Sequence, residues 1–181
     1  MTYIEIILIA LGLSMDAFVV SISKGLSMKK DYKNSFKIAL YFGLFQGLMP
    51  LIGYILGFSF ENIVTRIDHF IAFTLLFIIG LSMILEKKEE MDNKIDTKTL
   101  LLLSIATSID ALAIGVTLAF LNVNIIYSVL TIAIITFIIC FIGVLLGNKF
   151  GKFIKNKAQI FGGIILILTG IKILLEHLNV I

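Results

Sequence analysis

Cysteine is almost absent from this chain: Cys140 stands alone among 181 residues, which excludes an internal disulfide framework and any CxxC-type metal site. Proline also occurs once, at Pro50, and there is no low-complexity tract, so composition gives no reason to expect a disordered tail. Charge is scarce too. Only 15% of residues are Asp, Glu, Lys or Arg, against about a quarter in an ordinary soluble domain. The formal charge of +3 is too small to point to nucleic acid, and the basic residues read as confined to short loops. No GxxxxGK[ST] loop is present, so ATP is excluded as the direct driver of any transport. The opening residues MTYIE lack the positive stretch of a cleavable signal. The apolar run behind them also continues too far, which predicts a retained helix.

What is abundant is apolar sequence in long runs. Apolar residues make up 59% of the chain, and the mean hydropathy is +1.08. Six segments stand out, at about 4–24, 35–58, 69–86, 99–121, 124–148 and 158–176. Each is near the length a helix needs to cross about 30 Å of hydrocarbon at 1.5 Å per residue. The expectation is an all-α, polytopic membrane protein of six transmembrane helices, with residues 1–181 forming a single transmembrane domain.

The connections predict orientation. Lys24, Lys29, Lys30, Lys33 and Lys37 flank the first, Lys87, Lys88, Lys94 and Lys98 the third, and Lys149, Lys152, Lys155 and Lys157 the fifth. Only Arg66 falls in the second and fourth together. The positive-inside rule then makes the odd connections cytoplasmic and turns both termini outward.

An internal repeat runs through this pattern. Ser14-Met15-Asp16-Ala17 recurs as Ser108-Ile109-Asp110-Ala111, an offset of 94 (110 − 16). Gly53 with Gly143, Gly57 with Gly147, Gly80 with Gly170 and Glu86 with Glu176 match at 90 (143 − 53). The chain thus reads as two three-helix repeats, about 1–88 and 99–181, joined by a cytoplasmic loop at about 87–98. An odd number of helices per repeat enters the membrane in opposite senses, which gives inverted-topology repeats with a substrate site expected near the midplane.

Asp16 and Asp110 fall about halfway along the first and fourth segments. A carboxylate at that depth costs about 2.5–3.5 kcal/mol on insertion scales, and two together repel unless a cation or a proton neutralises them. Such a pair suits a site that alternates between a metal ion and protons. Hard oxygen donors favour magnesium, calcium or manganese over zinc and copper. The competing reading is a neutral, hydrogen-bonded pair that locks the repeats together.

Other residues are candidates for the same shell. Gln46 lies mid-span, and Pro50 cannot donate to the Gln46 carbonyl, so that position offers an amide oxygen and a freed backbone oxygen. Prolines also kink membrane helices with no ligand role, and both readings are open. Thr136 is the repeat counterpart of Gln46, and Cys140 that of Pro50, a packing position. Ser14 and Ser108 precede the aspartates by two residues, about 200° round a helix. They reach the acids only if the helix breaks there; otherwise a helix–helix hydrogen bond is the expected role. Gly43 and Gly47, Gly53 and Gly57, and Gly143, Gly147 and Gly151 have the small-xxx-small spacing of closely packed helices. Asp68-His69 opens the third segment as an interfacial helix start or an exit site.

The runs LGLSMDAFVVSISKG (11–25), FGLFQGLMPLIGYILG (42–57), DHFIAF (68–73) and ATSIDALAIG (106–115) resemble the MntP-type manganese efflux pumps, and the resemblance covers essentially the whole chain. It implies export of manganese from the bacterial cytoplasm with no cofactor and no enzymatic step. It further implies a role for intramembrane acids, which map here to Asp16 and Asp110, with Gln46 on a matching motif position. The expected mechanism is alternating access at a midplane site, with protons as the coupling ion. Export of another cation or a small solute such as an amino acid, a membrane scaffold, and an intramembrane enzyme are the alternatives.

Overall fold

The computed structural model describes residues 3–28, 30–85, 96–121, 123–154 and 158–177; the side chains of 58–72, and of scattered positions within 75–85 and beyond 150, lie outside that description. Expectations resting on the surroundings of Asp68, His69, Gly151, Gly170 and Glu176, and on Glu86 and the lysines of 87–94, therefore fall outside the described residues. Among the described residues all regular structure is α-helical. The elements are α1 (Tyr3–Leu26), α2 (Tyr32–Leu85), α3 (Thr97–Ala106), α4 (Ile109–Ala119), α5 (Ile125–Ile154) and α6 (Ala158–His177).

Two divisions differ from those expected. The second and third apolar segments run on as one helix, the 54-residue α2. Residues 58–68 contain neither glycine nor proline, so no residue there forces the helix to stop. At 1.5 Å per residue α2 is about 81 Å long, and its stretch Tyr32–Gly57 has the length and apolarity of one crossing. The fourth segment is broken instead, α3 and α4 meeting at a 44° bend. Here the hydroxyls are the cause. Ser104 Oγ, Thr107 Oγ1 and Ser108 Oγ donate to Leu100 O at 2.9 Å, Leu103 O at 3.0 Å and Ser104 O at 2.7 Å. Such back-bonding competes with the main-chain ladder and bends helices. The Ser108 N–H accordingly reaches Ile105 O, three residues back, at 3.1 Å. With that bent pair taken as one span, the described residues hold four stretches fit to cross a membrane, the others being Tyr3–Leu26, Tyr32–Gly57 and Ile125–Phe150.

Glycines set how closely the helices pack. A Cβ on Gly147 would strike Ile22 O, and one on Gly143 would meet Phe18 and Ser21, so α5 lies directly on α1. A Cβ on Gly53 would strike Leu112 O, and one on Gly57 would meet Val116 and Ala119, so α2 lies directly on α4. The two interfaces correspond contact by contact. Gly53 and Gly57 become Gly143 and Gly147 at offset 90, while Leu112, Val116 and Ala119 are Phe18, Ile22 and Gly25 at offset 94. Even the proline has its analogue: Gly115 meets the Pro50 backbone, and Ser21 meets Cys140.

Each of these pairs is parallel. Tyr3 and Tyr127 touch edge to face at 4.9 Å near the starts of α1 and α5, and Gly25 meets Val144 and Asn148 near their ends. Lys37 Nζ donates to Thr97 Oγ1 at 2.9 Å near the starts of α2 and α3, and Gly57 meets Ala119 where α4 ends. Lys24, Lys37, Lys98 and Lys149 therefore gather at one end of the bundle, with the Tyr3–Tyr127 pair at the other. At the lysine end Asp96 caps α3, accepting from the Lys98 and Thr99 N–H groups at 3.1 and 3.0 Å. The Thr99 hydroxyl, together with these amides, holds its carboxyl below the usual range.

Two apolar clusters fill the interior. One joins Ala17, Val20, Phe42, Leu103, Val144 and Leu166 toward the lysine end. The other joins Ala10, Leu13, Ala111 and Ile132 toward the tyrosine end. Cys140 belongs to the first, as a packing residue. The outside of the bundle is apolar as well: Ile126, Leu130, Ile134, Ile138, Ile142 and Leu146 form an exposed stripe along α5, one per turn. Uninterrupted apolar faces of that length are matched by lipid rather than water.

Candidate functional site between the apolar clusters

On four elements the polar candidates fall between the residues of the two clusters. Asp16 lies between Leu13 and Ala17 on α1, Ser108 and Asp110 between Ala106 and Ala111, and Thr136 between Ile132 and Cys140 on α5. Gln46 lies one turn beyond Phe42 on α2. The result is a thin polar layer with dry packing above and below it.

The two aspartates occupy different backbone settings. Asp16 sits inside the continuous α1, half-buried with 17% of its side chain exposed. Asp110, also half-buried, falls in the first turn of α4, just after the break. Its Oδ1 accepts from the Ala111 N–H at 2.8 Å. Free N–H groups and the positive end of the dipole at a helix start favour an anion there. The carboxylates lie within Coulombic reach of each other, and the Gln46 amide within hydrogen-bonding reach of Asp110.

Gln46 is fully buried and joins the two halves. Its Nε2 donates to Leu13 O on α1 at 3.1 Å, while its Oε1 has no hydrogen-bond partner. Thr136 Oγ1, equally buried, has none either. A buried oxygen left without a donor costs about 1–3 kcal/mol, so two in one layer are well placed to receive a cation. Among the described residues no three His, Cys, Asp or Glu side chains come together as a cage. A metal ion held here would therefore draw on neutral oxygens besides the acids.

Ser14 and Ser108 are occupied locally. Ser14 Oγ donates to Leu11 O at 2.8 Å, and Ser108 Oγ to Ser104 O and Ile105 O at 2.7 and 3.1 Å. The helix break that would turn a serine toward its aspartate is present at Ser108 and absent at Ser14, where α1 is continuous. Pro50 is buried inside α2 with its backbone against Gly115. The Asp68 side chain is outside the described set. Met15 is 43% exposed on the outer face of α1.

One participant escaped the reading of the sequence. Lys172 of α6 places its Nζ 3.4 Å from Asp16 Oδ1. The signal was available, since a lysine within an apolar segment, away from the connections, calls for a partner. What hid it was the assignment of lysines to loops alone.

A lipid-facing helical bundle that shelters an acid pair in its interior defines an α-helical integral membrane protein. Comparison with known families narrows this further. The family described as "Putative manganese efflux pump" matches residues 29–174, and the chain belongs to it. Curated relatives named "Putative manganese efflux pump MntP" align over nearly their whole length. That of Desulfitobacterium hafniense is 54% identical over 180 residues, covering 97% of this chain and 96% of the relative. That of Acetivibrio thermocellus is 54% identical over 187 residues, covering 100% and 94%. That of Mannheimia succiniciproducens is 50% identical over 184 residues, covering 98% of each. No solved structure matches the chain.

Proposed function

We propose that this protein exports divalent manganese from the cytoplasm by proton-coupled alternating access, with Asp16 and Asp110 as the charged ligands. Gln46 Oε1 and Thr136 Oγ1 complete the shell as neutral donors. What supports this reading is that the layer between the two apolar clusters holds two acids within Coulombic reach of each other and two partnerless buried oxygens. A doubly positive ion relieves both problems at once, the repulsion of the carboxylates and the cost of the bare oxygens. Protonation of the acids on the outer side releases it. The printed names of the curated relatives supply manganese as the cargo.

Two inverted three-helix repeats, about 1–88 and 99–181, are the architecture this mechanism uses. Support comes from the matched α5-on-α1 and α2-on-α4 interfaces, and from the lysines gathered at one end, which the positive-inside rule assigns to the cytoplasm. Both termini then lie outside. Six crossings divide α2, which is helical throughout and about 81 Å long, between two spans, because that length far exceeds one bilayer. The cluster at the lysine end acts as the inner seal and the other as the outer, opening in turn as one repeat rocks against the other. Moving a doubly charged ion outward against an inside-negative potential costs about 4.6 kcal/mol per 100 mV, and proton exchange offsets that cost.

Purified protein in proteoliposomes, given manganese and an imposed pH gradient, tests the proposal. Asp16→Asn and Asp110→Asn are each expected to abolish manganese movement while inserting normally. Retained transport in both would remove the acid pair from the mechanism.

A further inference from the structure

The ion pair between α6 and α1 is not explained by helix packing alone. Lys172 is half exposed, yet its ammonium reaches past the α6 surface to the one acid of the polar layer that lies on α1, at 3.4 Å. Its aliphatic stem can cover apolar surface while the charged head stays on the carboxylate. Asp110 needs no such partner in the same degree, since it sits at a helix start with an N–H on its carboxylate. Asp16, in mid-helix, has no helix end nearby. The two aspartates thus differ in their surroundings: Asp110 accepts a backbone N–H at a helix start, while Asp16 has the Lys172 ammonium among its partners.

We propose that Lys172 is a tethered counter-cation of Asp16 that an incoming metal ion must displace, and that it sets the selectivity of the site for divalent over monovalent cations. The inference rests on Asp16 being a metal ligand, as in the proposed function. The physics is competition for one carboxylate. A sodium or potassium ion carries the same charge as the ammonium already in place, so it gains nothing that repays its lost hydration. A divalent ion carries twice the charge and also engages Asp110, Gln46 and Thr136, which the ammonium does not satisfy. The ammonium therefore lowers the affinity for every cation and removes monovalent occupancy almost entirely. It also returns to the carboxylate after release, which keeps Asp16 neutralised while the empty protein resets.

The test is manganese binding to the purified full-length protein, read from the paramagnetic resonance of free manganous ion and titrated with and without sodium chloride. For Lys172→Gln the expected result is an apparent Kd roughly two- to fivefold lower than wild type, together with new competition by sodium. Lys172→Arg should retain wild-type affinity and indifference to sodium. The double variant Asp16→Asn/Lys172→Gln should match Asp16→Asn alone, because without the carboxylate the lysine has nothing to compete for. A purely structural lysine predicts something else: lower thermal stability of Lys172→Gln, with affinity unchanged or weakened and no response to sodium. That outcome overturns the inference and leaves the proposed function standing. Wild-type binding that Asp16→Asn leaves untouched overturns both, so the two failures are distinguishable.

Discussion

Thr136→Val separates a ligand from a packing residue more cleanly than any change to the acids. Valine has nearly the shape of threonine, and Thr136 is fully buried with an Oγ1 that bonds to nothing. Substitution therefore removes an unsatisfied hydroxyl and breaks no hydrogen bond. The penalty relieved is about 1–3 kcal/mol, which for a chain of this size corresponds to a rise in Tm of roughly 2–10 °C. The metal-free variant is expected to be more stable than wild type, which is unusual for a core substitution. Its response to metal should move the opposite way. A ligand present at a hundred times its Kd stabilises by about 2.7 kcal/mol, and a tenfold weaker site loses about 1.4 kcal/mol of that gain. Thermal unfolding in detergent, with and without manganese, reads both terms in one experiment. A higher Tm without metal and a smaller manganese-induced shift are the joint expectation. A Thr136→Val protein that unfolds earlier than wild type, or gains as much from manganese, would refute the assignment of Oγ1 as a waiting donor.

Two further outcomes follow from the packing and from the loop. Gly147→Ala should destabilise the bundle by about 1–3 kcal/mol, because its Cβ would meet Ile22 O on the facing helix, whereas Gly12→Ala, with nothing within 4 Å, should stabilise α1 by about 0.5–1 kcal/mol; unfolding of the two variants side by side checks the contrast. At Asp96 the carboxyl is held low by the Thr99 hydroxyl and two amides, so its contribution to the start of α3 is complete above the unfolded carboxyl pKa and lost as pH falls through the lower folded one. Protection of the 97–99 amides, taken relative to their intrinsic exchange rates at each pH, should therefore fall on acidification, and Thr99→Val should move that fall to higher pH.

Much was legible in the residues before any coordinates. Long apolar runs point to membrane helices, because a backbone in lipid must satisfy its own hydrogen bonds within a helix, and among the described residues three helices, or four with the bent pair, have that length and apolarity. The repeated Ser-x-Asp-Ala, with its matched glycines, marked equivalent positions, since an Asp in such a run is too costly to be incidental. Gly53, Gly57, Gly143 and Gly147 were recognisable as contact points because close approach excludes any side chain. Where a helix continues or breaks was less visible. The run through 58–68 holds no helix breaker, while the bend at Thr107–Ser108 arises from hydroxyls that back-bond only once the segment is already helical.

Sequence alone determined the helical class, the lipid-facing composition, the pairing of Asp16 with Asp110 as repeat equivalents, and the family. These follow from local chemistry and periodicity, which need no knowledge of neighbours. Only the tertiary structure decided that the equivalents are not alike, with Asp110 at a helix start and Asp16 in mid-helix against Lys172. It alone left the oxygens of Gln46 and Thr136 bare between two apolar clusters. A side chain's partners depend on which helices lie beside it, and glycines that let α5 settle on α1 and α2 on α4 are what bring those groups into one layer.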